Sequence, residues 1–491
     1  MKSHPVLNLF CLVLFTAGLS GACRESNPTY DPQKWPPGQD IGAPGDIKVL
    51  PGDQTSPPPK KDGALPKKDK GTPKLDKAPP PPDLPMLPPD KAGPTCVGMT
   101  CPLGCNQPQN RCYRLKPSNY DVKASFQQAS AGLSVSGQAT IDTTSGQIKV
   151  GSNVIRPANK VGLVNGIYWQ RNAQAKGYPG LSIFVVKSLE VNKGAALEVT
   201  GADALAVYAT GNIKVEGTIH ASGSGMFAGA GGGAGGKSNG ADGAPCNNGH
   251  GMGGDQGGSG YNQVEAGGGG GGRIVKGGKG GDSSYYSKPK GGPGGAANNG
   301  QTLTPLYGGC GAGAGGGPDT GGVAGGAGGY GGGGGGAIQL SANGALSISG
   351  TITTPGAGGE GGHGGGGGGG GGSGGAILLE GITLTHAGYL AANGGGGGSG
   401  SGSTSWASSN DGEDGRYDGV RATGGAQQGQ YGAAGGKGGS QANAGGDNGG
   451  SNANGGGGGG AAGMIRLNTH TSQVISGTVS PGHTSGKIAL W

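Results

Sequence analysis

The stretch GGSGGAILLEGITLTHAGYLAANGGGGG, Gly371 to Gly398, decides how this chain is read. Its middle alternates: Ile377 and Leu379, then Ile382 and Leu384, then Leu390 beyond Gly388. Apolar residues at every second place give a strand one apolar face. Its flanks carry almost no side chains, and glycine loses the most conformational entropy on ordering. One short segment therefore joins a strand unit built from side chains to tracts built from backbone alone.

The strand unit recurs in ALAVYATGNIKVEGTIHASG, AIQLSANGALSISGTITTPG, AILLEGITLTHAGYLAANG and MIRLNTHTSQVISGTVSPG. These copies open with Leu205/Val207, Ile338/Leu340, Ile377/Leu379 and Ile465/Leu467. A second pair follows at Ile213/Val215, Leu346/Ile348, Ile382/Leu384 and, out of phase, Val474/Ile475. Gly217, Gly350, Gly388 and Gly477 then precede Ile219, Ile352, Leu390 and Val479. From first apolar residue to glycine the interval is 12, 12, 11 and 12 residues. Segments around Phe184–Val199 and Leu133–Val150 read as degenerate copies. No long segment has a 3.6-residue period, so the class is all-β. Three short strands per unit predict a right-handed parallel β-helix, in which each coil covers its neighbour's apolar stripe.

The spacing between copies is uneven, and the excess is glycine-rich: about 223–336, 355–375 and 393–463. Of the 126 glycines most fall there, in consecutive runs with little proline, which excludes the Gly-X-Y collagen pattern. A glycine tract has two readings. It is a hydrated flexible loop, or it takes the threefold polyproline II form and bonds to similar strands as polyglycine II. Tract ends held at neighbouring coils, isolated bulky residues such as Tyr330, and a Cys246–Cys310 bridge across the longest tract favour order. The shortest tract, containing GGHGGGGGGGGGSGG (Gly361 to Gly375), would form at most a hairpin of glycine strands. It is expected to be the least self-sufficient.

The N-terminus carries Lys2, an apolar run from Val6 to Phe15 and small residues before Cys23. This is a signal peptide, residues 1–22. LSGAC resembles a bacterial lipobox with Cys23 as the lipidation site, although Ser20 stands where leucine is usual; cleavage for plain secretion is the alternative. Residues 23–94 form a Pro/Lys/Asp-rich linker with 19 of the 32 prolines, read as an extended, disordered stalk. A small Cys-rich module spans 95–113, and the repeats with their inserts fill 114–491. Cys96, Cys101, Cys105 and Cys112 point to two disulfides of open pairing; without C-x-x-C spacing or a histidine the zinc alternative is weaker. Many of the lysines behind the formal charge of +7 sit between Lys60 and Lys91, interleaved with Asp and Pro, and no arginine-rich patch occurs, so no nucleic-acid partner is expected.

β-Helices often carry glycan-cleaving sites, which need paired carboxylates. Candidates are Lys214, Glu216 and His220, then Glu380 and His386, then Arg466 and His470. They do not recur beside a second carboxylate, and the alternation reads them as outward-facing and solvated. No G-x-S-x-G or H-E-x-x-H motif occurs, so no catalytic residue and no cofactor is assigned. NDGEDGRYDG gathers Asp411, Glu413, Asp414 and Asp418, weak calcium candidates without a calcium-loop spacing.

The junctions GGGGGGAIQLSANGALSISGTI, GGSGGAILLEGITLTHAGYLAANGGGGG and GGGGGGAAGMIRLN resemble uncharacterised glycine-rich surface lipoproteins of myxobacteria and their relatives. The tracts are also similar to the glycine-rich domains of mycobacterial PE-PGRS proteins, without the helical module of those proteins. The resemblance implies a cell-surface location and no particular activity. The expectation is a structural or adhesive lipoprotein on the outer membrane, partnered by surface glycans or other surface proteins. The alternative is a polysaccharide-active or carbohydrate-binding β-helix.

Overall fold

The computed structural model describes Cys96, residues 105–106 and residues 110–491, apart from 238, 257–263, 285–287, 299, 318–326, 403–408 and 442. The signal peptide, Cys23, the linker and Cys101 lie outside the described residues. The protein is all-β: among the described residues the one helical element is a turn at Ala124–Gln128. In the Cys-rich module, β1 (Cys105–Asn106) and β2 (Arg111–Cys112) pair antiparallel, and Cys96 is joined to Cys105. Cys112 is also disulfide-bonded, so these three cysteines are not zinc ligands. Such bridges belong to an oxidising environment.

Alternating sequence becomes stacked tiers of strands. The first tiers hold β3 (Leu133–Val135), β4 (Gln138–Asp142), β5 (Gln147–Val150), β6 (Asn153–Arg156), β7 (Gly162–Val164), β8 (Ile167–Asn172), β9 (Leu181–Val186), β10 (Leu189–Val191) and β11 (Ala196–Thr200). The first repeat copy gives β12 (Ala204–Ala209), β13 (Ile213–Val215) and β14 (Thr218–His220). In later copies the first two strands merge: β15 (Ala337–Ile348) with β16 (Thr351–Thr353), β17 (Ala376–His386) with β18 (Tyr389–Ala391), and β19 (Met464–Ile475) with β20 (Thr478–Ser480) and β21 (His483–Lys487).

Equivalent strands of successive copies pair in parallel. Leu205, Ile338, Ile377, Ile465 and His483 form one column, and Ile219, Ile352, Leu390 and Val479 another. Their apolar members share one buried core, as stacking requires. The second strands carry the columns Leu189, Ile213, Leu346, Leu384 and Val191, Val215, Ile348, His386, Ile475. This corrects the sequence reading of the third copy. That copy is a residue shorter at Gly381, so Leu384 and His386, not Ile382 and Leu384, face inward. Ile382 packs outside, with Leu115 and Ile488.

The two ends of the stack differ. Antiparallel β5 with β6 and β7 with β8 fold over the first end, while β20 and β21 finish the other. A strap, residues 114–129, runs along the outside. Its start pairs with the C-terminus, Leu115 opposite Leu490. Farther along, Tyr120 and Phe126 pack on Ile183, Ala206, Tyr208 and Leu378.

The described residues of the glycine tracts are joined by backbone hydrogen bonds with a three-residue repeat. Gly267 and Gly270 donate to Gly281 and Gly278, Gly268 and Gly271 to Gly368 and Gly371, and Gly269 and Gly272 to Met252 and Gly249. Successive N–H groups thus point in three directions, about 120° apart, as in a threefold extended helix. The shortest tract lies at the centre of this arrangement, not at its margin. Gly367, Gly370 and Ser373 donate to Gly316, Gly313 and Cys310; Gly368, Gly371 and Gly374 to Gly455, Gly458 and Ala461; Gly369, Gly372 and Gly375 to Glu360, Ala357 and Thr354. Its carbonyls accept from Gly268 and Gly271, from Gly329, Gly332 and Gly335, and from Gly395, Gly398 and Ser401. Residues 366–375 are buried throughout.

Glycine is demanded here by proximity, not by backbone dihedral. Within this shortest tract, positive φ is confined to the turn at Gly364 and Gly365 (49° and 97°). A Cβ added to Gly457 would stand 1.9 Å from the Gly369 carbonyl oxygen, and one on Gly370 would stand 2.2 Å from that of Gly269. Backbone cannot swing away as a side chain could. The Cys246–Cys310 disulfide is present and closes a separation of 64 residues across the longest tract. Closure of that length is worth about 4 kcal/mol.

Candidate functional site

Where a tract meets solvent, its N–H groups lack a neighbouring carbonyl, and side-chain oxygens take that place. Asp411 Oδ1 accepts from Gly361 N and Asp414 Oδ1 from Gly358 N, both at 2.8 Å. Two carboxylates three positions apart meet two donors three positions apart, the match a threefold helix allows. Asp242 does the same for Gly253, Asn239 for Gly328, Asp282 for Gly291 and Asn448 for Lys279. Glu413 and Asp418 instead hold Arg416, at 2.8 Å and 2.5 Å, and Glu413 also accepts from Thr423 N at 2.9 Å. The hydrogen bond from Arg416 lowers the Asp418 pKa and raises that of Arg416, while burial raises that of Asp414. The four calcium candidates are therefore committed to protein partners, Asp411 and Asp414 to backbone N–H groups and Glu413 and Asp418 to Arg416. Among the described residues no group of three or more His, Cys, Asp or Glu side chains is arranged to hold a metal ion.

The same segment carries the clearest exposed feature. Asn393 Nδ2 donates to the Arg416 carbonyl, which brings residues 416–418 over the end of β18. Tyr417 then meets Tyr389 of β18 edge to face, centroids 5.8 Å apart and planes at 88°. Both rings are exposed, at 37% and 41%, with Val420 at 56% nearby in sequence. Aromatic faces beside a fixed guanidinium and two carboxylates suit a polyhydroxylated ligand, whose C–H faces lie on rings and whose hydroxyls reach charged groups.

The tier candidates do not assemble into one groove. Lys214 and Glu216 form an exposed pair at 2.9 Å, as the alternation predicts. His220 is partly covered, and burial lowers its pKa against the pull of Glu198. Arg466 reaches the Gln301 carbonyl at 3.2 Å, and His470 lies 3.4 Å from that of Ile488. Glu380 departs from expectation: it faces outward but is wholly buried beneath the strap. Ser118 Oγ (2.5 Å), Gln339 Nε2 (2.8 Å), Ser341 Oγ (2.9 Å) and Asn468 Nδ2 (3.2 Å) donate to its carboxylate. Such complete hydrogen bonding is what makes an interior carboxylate tolerable. His386 is buried too, because of the inward register just described.

Two features were not anticipated from the sequence. The loop between β8 and β9 walls a cavity of about 470 Å³ lined by Arg171, Gln174, Lys176 and Tyr178. Arg171 is committed there to buried Asp203, and Gln174 to the backbone of Leu306. Arg273 is fully buried, its guanidinium 3.7 Å from the Tyr307 ring centre and bonded to the Tyr307 carbonyl at 3.1 Å. A lone arginine after a glycine run gives no sequence signal of this. No family model, curated protein or solved structure matches the chain.

Proposed function

We propose that this chain is a lipid-anchored cell-surface protein whose role is structural or adhesive rather than catalytic. In this reading a right-handed parallel β-helix serves as a spine, and the glycine tracts form a polyglycine II bundle fastened along it. Cys23 is the lipidation site, and the Pro-rich linker is the stalk that holds the body away from the outer membrane.

The observation that carries this reading is the use to which side chains are put. In the bundle, apart from a few buried groups such as Arg273 against Tyr307, they are rim caps, as with Asp411 and Asp414, or absent. In the tiers they fill a core, and Glu380 is sealed under the strap with its carboxylate fully hydrogen-bonded. Rigid backbone lattices with few exposed functional groups suit a surface layer or a display scaffold.

The exposed Tyr389–Tyr417 pair favours one refinement: the adhesive contact is with surface glycans, and this patch makes it. The test is a glycan array and a cell-adhesion assay with the mature chain and with a Tyr389→Ala, Tyr417→Ala variant. Retention of defined glycans that the double variant loses supports the patch. Glycan cleavage by the mature chain would overturn the non-catalytic reading.

A further inference from the structure

The second end of the stack contains an anomaly of polarity. The core columns are apolar in tier after tier, but in the last tier their positions are held by Gln473, His483 and Ser485, of which Gln473 is half-buried and His483 and Ser485 are exposed at the end of the stack. One tier earlier the interior holds His386, stacked between Ile348 and Ile475. The His386 side chain is fully buried, neither ring nitrogen makes a well-formed hydrogen bond, and only the Gly388 backbone favours a proton there. An unpaired imidazole in an apolar core is costly, and an imidazolium there is costlier still. The neighbouring interior side chains of β16, β18 and β20 are Ile352, Leu390 and Val479, which cannot compensate a charge. From β21 the group that faces it is another imidazole, His483, which repels a proton on His386 and lies 3.5 Å from Gln473 Nε2. No carboxylate contributes to its titration.

We infer that the last tier is an acid-released latch, in which protonation of His386 expels β20, β21 and the C-terminus from the end of the stack. The geometry sets what release would undo. Arg114 and Trp491 exchange backbone bonds at 3.1 Å and 2.9 Å, and Lys116 N donates to Ala489 at 2.9 Å. Leu115 packs with Ile488 and Leu490. The strap begins here, directly after the Cys-rich module, so opening the latch loosens the chain's entrance into the body while the far end stays closed by its hairpins. Burial and His483 lower the His386 pKa to about 4. The unfolded value is near 6.5. A folded value below the unfolded one means full stabilisation above about pH 6.5, lost as pH falls toward 4.

The experiment is hydrogen exchange on the intact exported protein at pH 7.5 and pH 4.5, corrected for intrinsic rates. Protection across residues 472–491 and 114–118 should fall by about 10- to 100-fold at the lower pH, while residues 366–375 keep theirs. His386→Leu, which continues the apolar column, should remove that fall. Should His386→Leu misfold, His386→Gln serves: loose at both pH values, with no acid step. Equal protection at the two pH values in the wild type overturns the latch. So does an acid step that persists in either variant, or one in which the glycine tracts open together with the last tier.

Discussion

The tiers and the glycine bundle reach the same burial by opposite means. In the tiers, Ile338, Ile377 and Ile465 exclude water with side chains, and backbone bonds follow from the pairing. Each buried aliphatic side chain brings about 1.5–3 kcal/mol. In the bundle there is almost no apolar side-chain area to bury. Its cohesion is backbone hydrogen bonding, each bond worth about 1 kcal/mol net, with weak Cα–H···O contacts between strands. That sum must offset glycine's large ordering entropy. It succeeds because every face of Gly366–Gly375 is occupied by another backbone strand, and because the tiers already hold the tract ends. A lattice of this kind admits a Cβ only at particular positions, such as Ala312, Ala314 and Ser373, whereas a side-chain core tolerates no void.

The sharpest break in that comparison is to add one methyl group on one side and remove several on the other. Gly457→Ala places a Cβ 1.9 Å from a backbone oxygen and should cost more than about 4 kcal/mol, as overpacking with no escape route does. A cost below about 1 kcal/mol by denaturant unfolding would remove the close-approach argument. Ile377→Ala should cost about 3 kcal/mol, the usual price of a buried cavity, and should loosen the tiers in hydrogen exchange before the tracts. Cys310→Ser removes the clamp on the longest tract, and a loss of about 2–4 kcal/mol is expected in thermal melts. Asp414→Ala takes away one rim cap, so about 1 kcal/mol and faster exchange at Gly358 are expected, with Gly361 unchanged because Asp411 serves it. The smallest effect belongs to the Asp418–Arg416 pair. Its carboxyl pKa is depressed, so its contribution is present above about pH 4 and fades as pH falls further. Asp418→Asn should flatten that limb of the acid-unfolding curve with little change at neutral pH.

How much of this was legible depended on whether a residue's role was local. The four copies were visible because alternation is written in adjacent residues, and the out-of-phase Val474/Ile475 marked a real shift in pairing between β17 and β19. The buried state of His386 was hidden by one missing residue at Gly381, which inverts the facing of all that follows. Glu380 looked solvated because its cover, Ser118, lies 262 residues away in sequence. Likewise Asp411 and Asp414 read as loop carboxylates, since their donors, Gly361 and Gly358, are anonymous members of a glycine run. Glycine tracts announce that backbones approach closely; they do not say which ones.

That anonymity has a consequence for how such a protein can change. A threefold helix of identical residues maps onto itself when advanced by one residue and turned by about 120°. The interior of Gly366–Gly372 therefore has no phase of its own, and sliding it by a residue recreates the same bonds. Phase is supplied from outside, by marks such as Ser373, whose hydroxyl accepts from Cys310 N at 2.7 Å, and by the strands at either end. Codons for glycine can accordingly be gained or lost at a turn such as Gly364–Gly365, lengthening or shortening two strands while the lattice beside them remains in step.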